Sequence, residues 1–187
     1  MAKNNTARSA GQIRIIGGRW RGRKLPVPDS PGLRPTTDRV RETLFNWLAP
    51  PVIQGARCLD CFAGSGALGL EALSRAAASV TLLEQDHGVS AQLARNLLVL
   101  QAQQAEVITT DSLRWLAQPG AVFDVVFIDP PFRHGMITAT VTALEQHRRL
   151  ADDAWIYIET HRGKIAGQVS YWLYIRQATP EKQHDTD

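Results

Sequence analysis

Val122-Phe123-Asp124-Val125-Val126-Phe127-Ile128-Asp129-Pro130-Pro131-Phe132 reads as a buried strand that stops abruptly. The run to Ile128 is apolar and largely β-branched, which suits a strand covered on both faces. Two consecutive prolines cannot donate to a ladder and fix the direction of the chain. The product is a rigid turn at a strand's C-terminal end, carrying a carboxylate (Asp129), free carbonyls (Pro130, Pro131) and an aromatic ring (Phe132). Open α/β sheets bind ligands at that edge. Such a turn suits an exocyclic amine, held by its hydrogens while the ring stacks on the attached base. By itself it also suits a proline-rich loop that only caps a strand.

Upstream, Cys58-Leu59-Asp60-Cys61-Phe62-Ala63-Gly64-Ser65-Gly66-Ala67-Leu68-Gly69 predicts a strand, a tight glycine turn and a helix. Backbone N–H groups in such a turn approach a ligand closely, and the helix N-terminus adds positive potential. Val80-Thr81-Leu82-Leu83-Glu84 follows as a second strand ending in an acid. A carboxylate at the spacing of Glu84 from Gly64 suits the two hydroxyls of a ribose. Gly64 to Gly69 also spells the G-x-G-x-x-G of nicotinamide dinucleotide sites, a weak signal alone. Asp60 argues the other way, because an acid there repels a pyrophosphate and attracts an ammonium. The D-x-F-x-G-x-G arrangement of Asp60, Phe62, Gly64 and Gly66 is similar to that of S-adenosylmethionine (SAM) sites.

Outward from these motifs, strands and helices alternate. Strands fit near 57–61, 79–84, 105–110, 122–128 and 154–159, and helices near 66–77, 87–100, 111–117 and 135–148. That alternation predicts an α/β fold, Rossmann-like, with a mainly parallel sheet covered on both faces. Ile165 to Arg176 is expected to form a strand pair bent at Gly167, giving antiparallel edge strands. The short link after Glu159 leaves room for a hairpin but not for a parallel crossover. Thr37 or Asp38 is a plausible N-cap for a helix through Leu48, ended by Pro50-Pro51, with Val40, Leu44, Trp47 and Leu48 facing the core.

At 187 residues and 44% hydrophobic content, one domain with a proper core is expected. The expected division is a basic tail at 1–10, one domain at 11–177 (hairpin and helix at 11–50, Rossmann-like core at 51–177) and a tail at 178–187. No signal peptide or membrane-length apolar run is visible, so a cytoplasmic protein is expected. Cys58 and Cys61 form a C-x-x-C. Residues three apart on a strand point to opposite faces, so two buried thiols are expected rather than a metal or redox pair. The five histidines show no metal-ligand spacing, and no metal is expected. The net charge of +3 hides an asymmetry: residues 1–41 carry +8 and the remainder −5. Arg14, Arg19, Arg21, Arg23 and Lys24 interleave with Ile13, Ile15, Trp20 and Leu25. This predicts a β-hairpin turning at Gly17-Gly18, docked on one face and presenting a basic, polyanion-binding surface on the other.

Together these motifs resemble the bacterial 16S ribosomal RNA guanine-N2 methyltransferase family. The resemblance runs from about Gly11 to Gln177. It rests on Gln12-Ile13-Arg14-Ile15-Ile16-Gly17-Gly18, Arg34-Pro35-Thr36-Thr37-Asp38-Arg39-Val40-Arg41-Glu42-Thr43-Leu44-Phe45-Asn46, the Gly64 loop and Asp129 to Phe132. It implies SAM as cofactor and 16S rRNA of the small subunit as partner; separately, a monomer is expected. Asp129, Pro130, Pro131 and Phe132 would hold the target amine and base. Phe62, Ala63, Gly64, Ser65 and Gly66 would cradle the methionine part beside Asp60. Glu84 and Gln85 would lie at the ribose, Asp111 and Ser112 at the adenine, and Asp129 beside the cofactor as well. Arg34, Thr36 and Phe45 would close over it. Arg14, Arg19, Arg21, Arg23, Lys24, Arg39 and Arg133 would meet RNA. Asp111 also suits a plain helix N-cap. DNA adenine-N6 enzymes share D-P-P-F but usually need a recognition domain for which this chain has no room. A ribosome-assembly factor that binds SAM without catalysis is the remaining alternative.

Overall fold

The computed structural model describes residues 11–29, 37–131, 135–161 and 169–177. The first two strands, β1 (Gly11–Arg14) and β2 (Lys24–Val27), form an antiparallel hairpin. Its connection is wider than a two-residue turn. The Ile15 amide donates to Arg23, Gly22 donates to Ile15, and one 3₁₀ turn spans Gly18–Trp20. Ile13, Ile15, Trp20, Leu25 and Val27 are buried, whereas Arg14, Arg19, Arg21, Arg23 and Lys24 are exposed. The hairpin is thus apolar inward and basic outward, as the interleaved sequence predicts.

Helix α1 (Asp38–Trp47) starts where Thr37 accepts a hydrogen bond from the Val40 amide. Its buried face is Arg41, Leu44, Phe45 and Leu48 at i, i+3, i+4 and i+7. Trp47, expected in the core, lies off that stripe and is 48% exposed. Pro50 and Pro51 do not end α1. They open a one-turn helix, α2 (Pro50–Ile53), where prolines at the first positions forfeit no intrahelical bond.

Six strands make the main sheet: β3 (Arg57–Asp60), β4 (Ser79–Glu84), β5 (Ala105–Thr109), β6 (Phe123–Ile128), β7 (Leu150–His161) and β8 (Val169–Ile175). Their order is β5-β4-β3-β6-β7-β8, with β8 antiparallel to β7 and the others parallel. The expected pair between 165 and 176 is one strand over Val169–Ile175, hairpin-paired to β7. Residues 165–168 lie outside the described residues. β7 runs four residues earlier than expected, with a register shift between Phe123 and Val125.

Helices α3 (Ala67–Ser74) and α4 (His87–Leu100) join α1, α2 and the hairpin on one face. Helices α5 (Ser112–Leu116) and α6 (Met136–Gln146) cover the other. Cys58 lies in the first core and Cys61 in the second, both free. Burial raises both thiols above their usual range, which suits inert packing residues. At the N-terminal edge, Arg57 pairs with Asp124 through Nε and Nη2, tying β3 to β6. The hydrogen bond and charge of Arg57 hold the Asp124 carboxyl below its ordinary range.

The hairpin is held by charge as well as packing. Glu71, fully buried in α3, accepts from the Ile16 and Gly17 amides at 3.0 and 2.9 Å and pairs with Arg75 Nε at 3.0 Å. Arg41, 1% exposed, reaches Glu71 at 3.6 Å and Asp38 at 2.6 Å, and donates to the Arg14 carbonyl. Ser74 donates to the Gly17 carbonyl and accepts from the Trp20 amide. Gly18, at φ +78°, lies so close that a Cβ would fall 2.0 Å from the Ser74 carbonyl oxygen. Removing one partner from a buried charge network leaves the others uncompensated. Glu71→Gln should therefore lower stability by about 3–5 kcal/mol, read as a fall in the urea midpoint at unchanged slope; a loss below about 1 kcal/mol would show that the network is dispensable.

Candidate active site

β3 and β6 are neighbours, but the chain leaves them for opposite sides of the sheet, toward β4 and toward β7. Their C-terminal ends therefore flank the crevice where such sheets bind ligands. The Gly64 loop follows β3 and the Asp129 turn follows β6, so the two strongest sequence motifs meet at this switch point.

The loop is tightly closed. Ala63 donates to the Leu83 carbonyl, Gly66 to Ala63, and Gly64 to the Glu84 carboxylate at 2.8 Å. Gly66 caps α3 in the left-handed conformation at φ 78°, and a Cβ there would fall 2.3 Å from Leu93 Cδ2. Any side chain at this φ strains the backbone. The second Glu84 oxygen accepts from the Asp86 amide, so the carboxylate is fixed at the end of β4. Phe62 and Gly64 are half-buried, and Ala63 and Ser65 are buried around the turn. Gln85 is exposed beside Glu84.

Asp60 is 2% exposed and accepts from the Gly69 amide at 3.2 Å. Its carboxyl is pushed up to about 7. Burial is the main cause, followed by the negative charge of Asp129 and then that of Glu84, against the Gly69 and Phe62 amides. The acids at the ends of β3, β4 and β6 thus share one electrostatic environment. That crevice favours a cationic ligand and disfavours a pyrophosphate. Asp129 is half-buried, Pro130 buried and Pro131 exposed.

Other expected positions divide between cap, core and surface. Asp111 is the N-cap of α5, accepting from the Arg114 amide at 2.9 Å. Ser112 is buried with its hydroxyl donating to the Cys61 carbonyl, so it serves the packing of β3 rather than an open ligand face. Phe45, expected to close over a cofactor, is 2% exposed and packs against Phe127 with ring centroids 6.0 Å apart. It is a core residue because α1 turns its i, i+3, i+4 stripe onto the sheet. Arg39 is exposed, and Arg14 pairs with Asp38 at 3.3 Å. Arg34, Thr36, Phe132 and Arg133 lie outside the described residues. Among the described residues no cluster of His, Cys, Asp or Glu suits a metal, and no helix is long and apolar enough to cross a membrane.

Sequence reading missed three residues. Arg41 and Glu71 are buried charges on helical faces, where spacing alone suggests solvent. Glu159, near the end of β7, is 2% exposed and accepts from the Tyr157 hydroxyl at 3.2 Å. An acid ending an apolar strand beside the Asp129 motif was the signal available for it.

Sheet order, glycine turn and Asp-Pro-Pro strand end define a Rossmann-like methyltransferase. Comparison with known proteins agrees. A family model described as conserved hypothetical protein 95 matches residues 13–184. Ribosomal RNA small subunit methyltransferase D of Escherichia coli K12 is 58% identical, across 99% of this chain and 100% of that protein. The Haemophilus influenzae protein of the same name is 49% identical, over 96% and 94%. The solved structure of yhhF from Escherichia coli superposes with a TM-score of 0.81 at 56% identity, covering 90% of this chain and all of that one. The chain belongs to this family, that of ribosomal RNA small subunit methyltransferase D.

The raised Asp60 pKa makes a pH prediction. The folded protein holds this proton up to about 7, whereas the unfolded chain releases it near the ordinary value of 3.8. Protonation therefore favours the fold, and the ligand-free protein should lose stability as pH rises from about 4 to about 7, by up to about 4 kcal/mol. Asp60→Asn should flatten that part of the profile in urea titrations from pH 4 to 8. An equal slope in both proteins would contradict the assignment.

Proposed function

We propose that this chain transfers the methyl group of SAM to the exocyclic N2 amine of a specific guanine in 16S rRNA of the small subunit. The observation that carries the reading is the parallel pairing of β3 with β6, Asp60 beside Phe127, which brings the glycine loop and the Asp129 turn to adjacent strand ends. A loop suited to a methionine ammonium and a turn suited to a base amine thus stand side by side at the C-terminal edge of the sheet. The donors present fit SAM. Asp60 is a buried acid beside a left-handed glycine turn, and Glu84 is a fixed carboxylate at the ribose spacing.

Bound SAM supplies an electrophilic methyl on a sulfonium. The protein's work is orientation and charge. Guanine N2 is a weak nucleophile because its lone pair is delocalised into the ring. Asp129 Oδ and the Pro130 carbonyl accept the two amine hydrogens, so the lone pair rehybridises toward the methyl. Phe132 stacks on the base and fixes its plane. Positioning in line with the sulfonium removes most of the entropic part of the barrier. The base leaves its stack to enter the crevice. Arg19, Arg21, Arg23 and Lys24 on the outer hairpin face, with Arg39, Arg133 and Arg14, bind phosphates. A ribosomal substrate is met in the cytoplasm, and these roles need one copy of the chain and no metal.

The direct test incubates labelled SAM with undermethylated small subunits and identifies the modified nucleoside. N2-methylguanosine is expected from the wild type. Asp129→Ala should abolish it while SAM affinity by calorimetry changes little, because the residue acts on the target amine. Near-normal turnover in the variant, or label on another nucleoside, would reject the proposal.

The hairpin makes a separate prediction. Replacing Arg19, Arg21, Arg23 and Lys24 with Gln should raise KM for the ribosomal substrate and leave SAM binding unchanged. The salt dependence of RNA binding should flatten by about 0.7–0.9 log units per lost phosphate contact. An unchanged KM and salt slope would show that this face is merely solvated.

A further inference from the structure

We propose that a hollow at the N-terminal edge of the sheet binds an unstacked nucleotide of the ribosomal RNA, distinct from the guanine that is methylated. The inference rests on the ribosomal-RNA reading above and adds a second binding site to it.

The hollow has a volume of about 610 Å³, within the range of small-ligand sites. It lies between the hairpin turn, α2 and the end of α3. Gln54, Ala77 and Gln104 line it and precede β3, β4 and β5, so it opens at the edge opposite the Gly64 loop. The six residues of β4 separate the two edges by roughly 20 Å, at about 3.3 Å per residue. One nucleotide cannot occupy both sites.

The lining combines three features. Arg19 and Arg75 bring two guanidinium groups, and no carboxylate of the described residues lines the hollow. Pro50, Ile53 and Leu73 supply an apolar wall. Gln54 and Gln104, both exposed, add two carboxamides whose side chains make no hydrogen bond among the described residues. A phosphate, the flat face of a base and a base edge with donors and acceptors match these features in turn.

Both guanidinium groups are oriented before a ligand arrives. Arg19 lies over the Trp20 ring at 4.3 Å. Arg75 lies over the Phe45 ring at 5.2 Å, with its Nε on Glu71 at 3.0 Å. The turn that carries Arg19 is fixed to Ser74 at the Gly17 carbonyl and the Trp20 amide. Donors placed in this way lose little entropy on binding. Continuity favours RNA over an acidic peptide. Arg19 belongs to the exposed basic face of Arg21, Arg23 and Lys24, so a strand held along that face meets the hollow at Arg19.

The test uses full-length enzyme and undermethylated small subunits. Gln54→Ala combined with Gln104→Ala removes two exposed amides and no charge. It should weaken subunit binding at least about fivefold. SAM affinity and the salt slope of binding should stay at wild-type values, because no phosphate contact is lost. That unchanged slope separates the hollow from the basic face. In a second experiment, Gln104→Cys carries a short aryl azide, Cys58 and Cys61 being too buried to react. Irradiation should cross-link it to an unpaired 16S rRNA nucleotide other than the methylated one. Wild-type affinity in the alanine variant, or cross-links only to a ribosomal protein or to the enzyme itself, would overturn the proposal. An enzyme that cross-links to RNA as expected but methylates no guanine N2 would instead overturn the earlier reading and leave this site standing.

Discussion

One buried carboxylate, Glu71, decides how the N-terminal segment relates to the rest of the molecule. It sits in α3, the helix that begins at the glycine turn, and takes two backbone amides of the hairpin and two arginines. The basic strands would otherwise repel one another and offer only a thin apolar face. With Glu71 in place, the Ile16 and Gly17 amides are satisfied inside the protein and Trp20 is buried beside Ser74. A surface able to meet RNA is thereby fixed to the helix whose N-terminus borders the cofactor loop. The basic hairpin and the glycine turn share one support, α3.

The second organising feature is the row of acids along the C-terminal edge of the sheet. Asp60 and Glu84 end β3 and β4, Asp129 follows β6 and Glu159 lies near the end of β7, in an environment that raises at least Asp60 toward neutrality. Such an edge is poorly suited to a nucleotide's phosphates. It suits ligands that arrive with ammonium, sulfonium and base N–H groups. The basic hairpin carries the opposite charge on a separate, exposed surface. The division of charge between the two halves of the sequence is thus also a division between two surfaces.

Much of this was legible in the sequence, for identifiable reasons. Strand β4 and helix α4 have unambiguous periodicity and fall where the pattern puts them. The glycine turn and the Asp-Pro-Pro stop are local chemistry that tertiary context does not override. The opposite-facing cysteines follow from strand geometry alone. The misreadings arise where context decides. Trp47 is exposed because α1 is rotated to bury Arg41, a charge that apolar periodicity excludes. Pro50-Pro51 opens a turn of helix instead of only closing one. Ser112 and Phe45 are buried, against the Cys61 carbonyl and the Phe127 ring, a placement that spacing alone does not reveal. Glu71 and Glu159 could not be read as buried without knowing which surfaces meet.

Native-state hydrogen exchange at the Ile16 and Gly17 amides tests the central claim most directly. If Glu71 makes the hairpin part of the core, both amides exchange only through global unfolding, with the same free energy as amides of β6. Exchange of these two amides at a much lower free energy, with β6 still protected, would show a detachable arm and contradict the account.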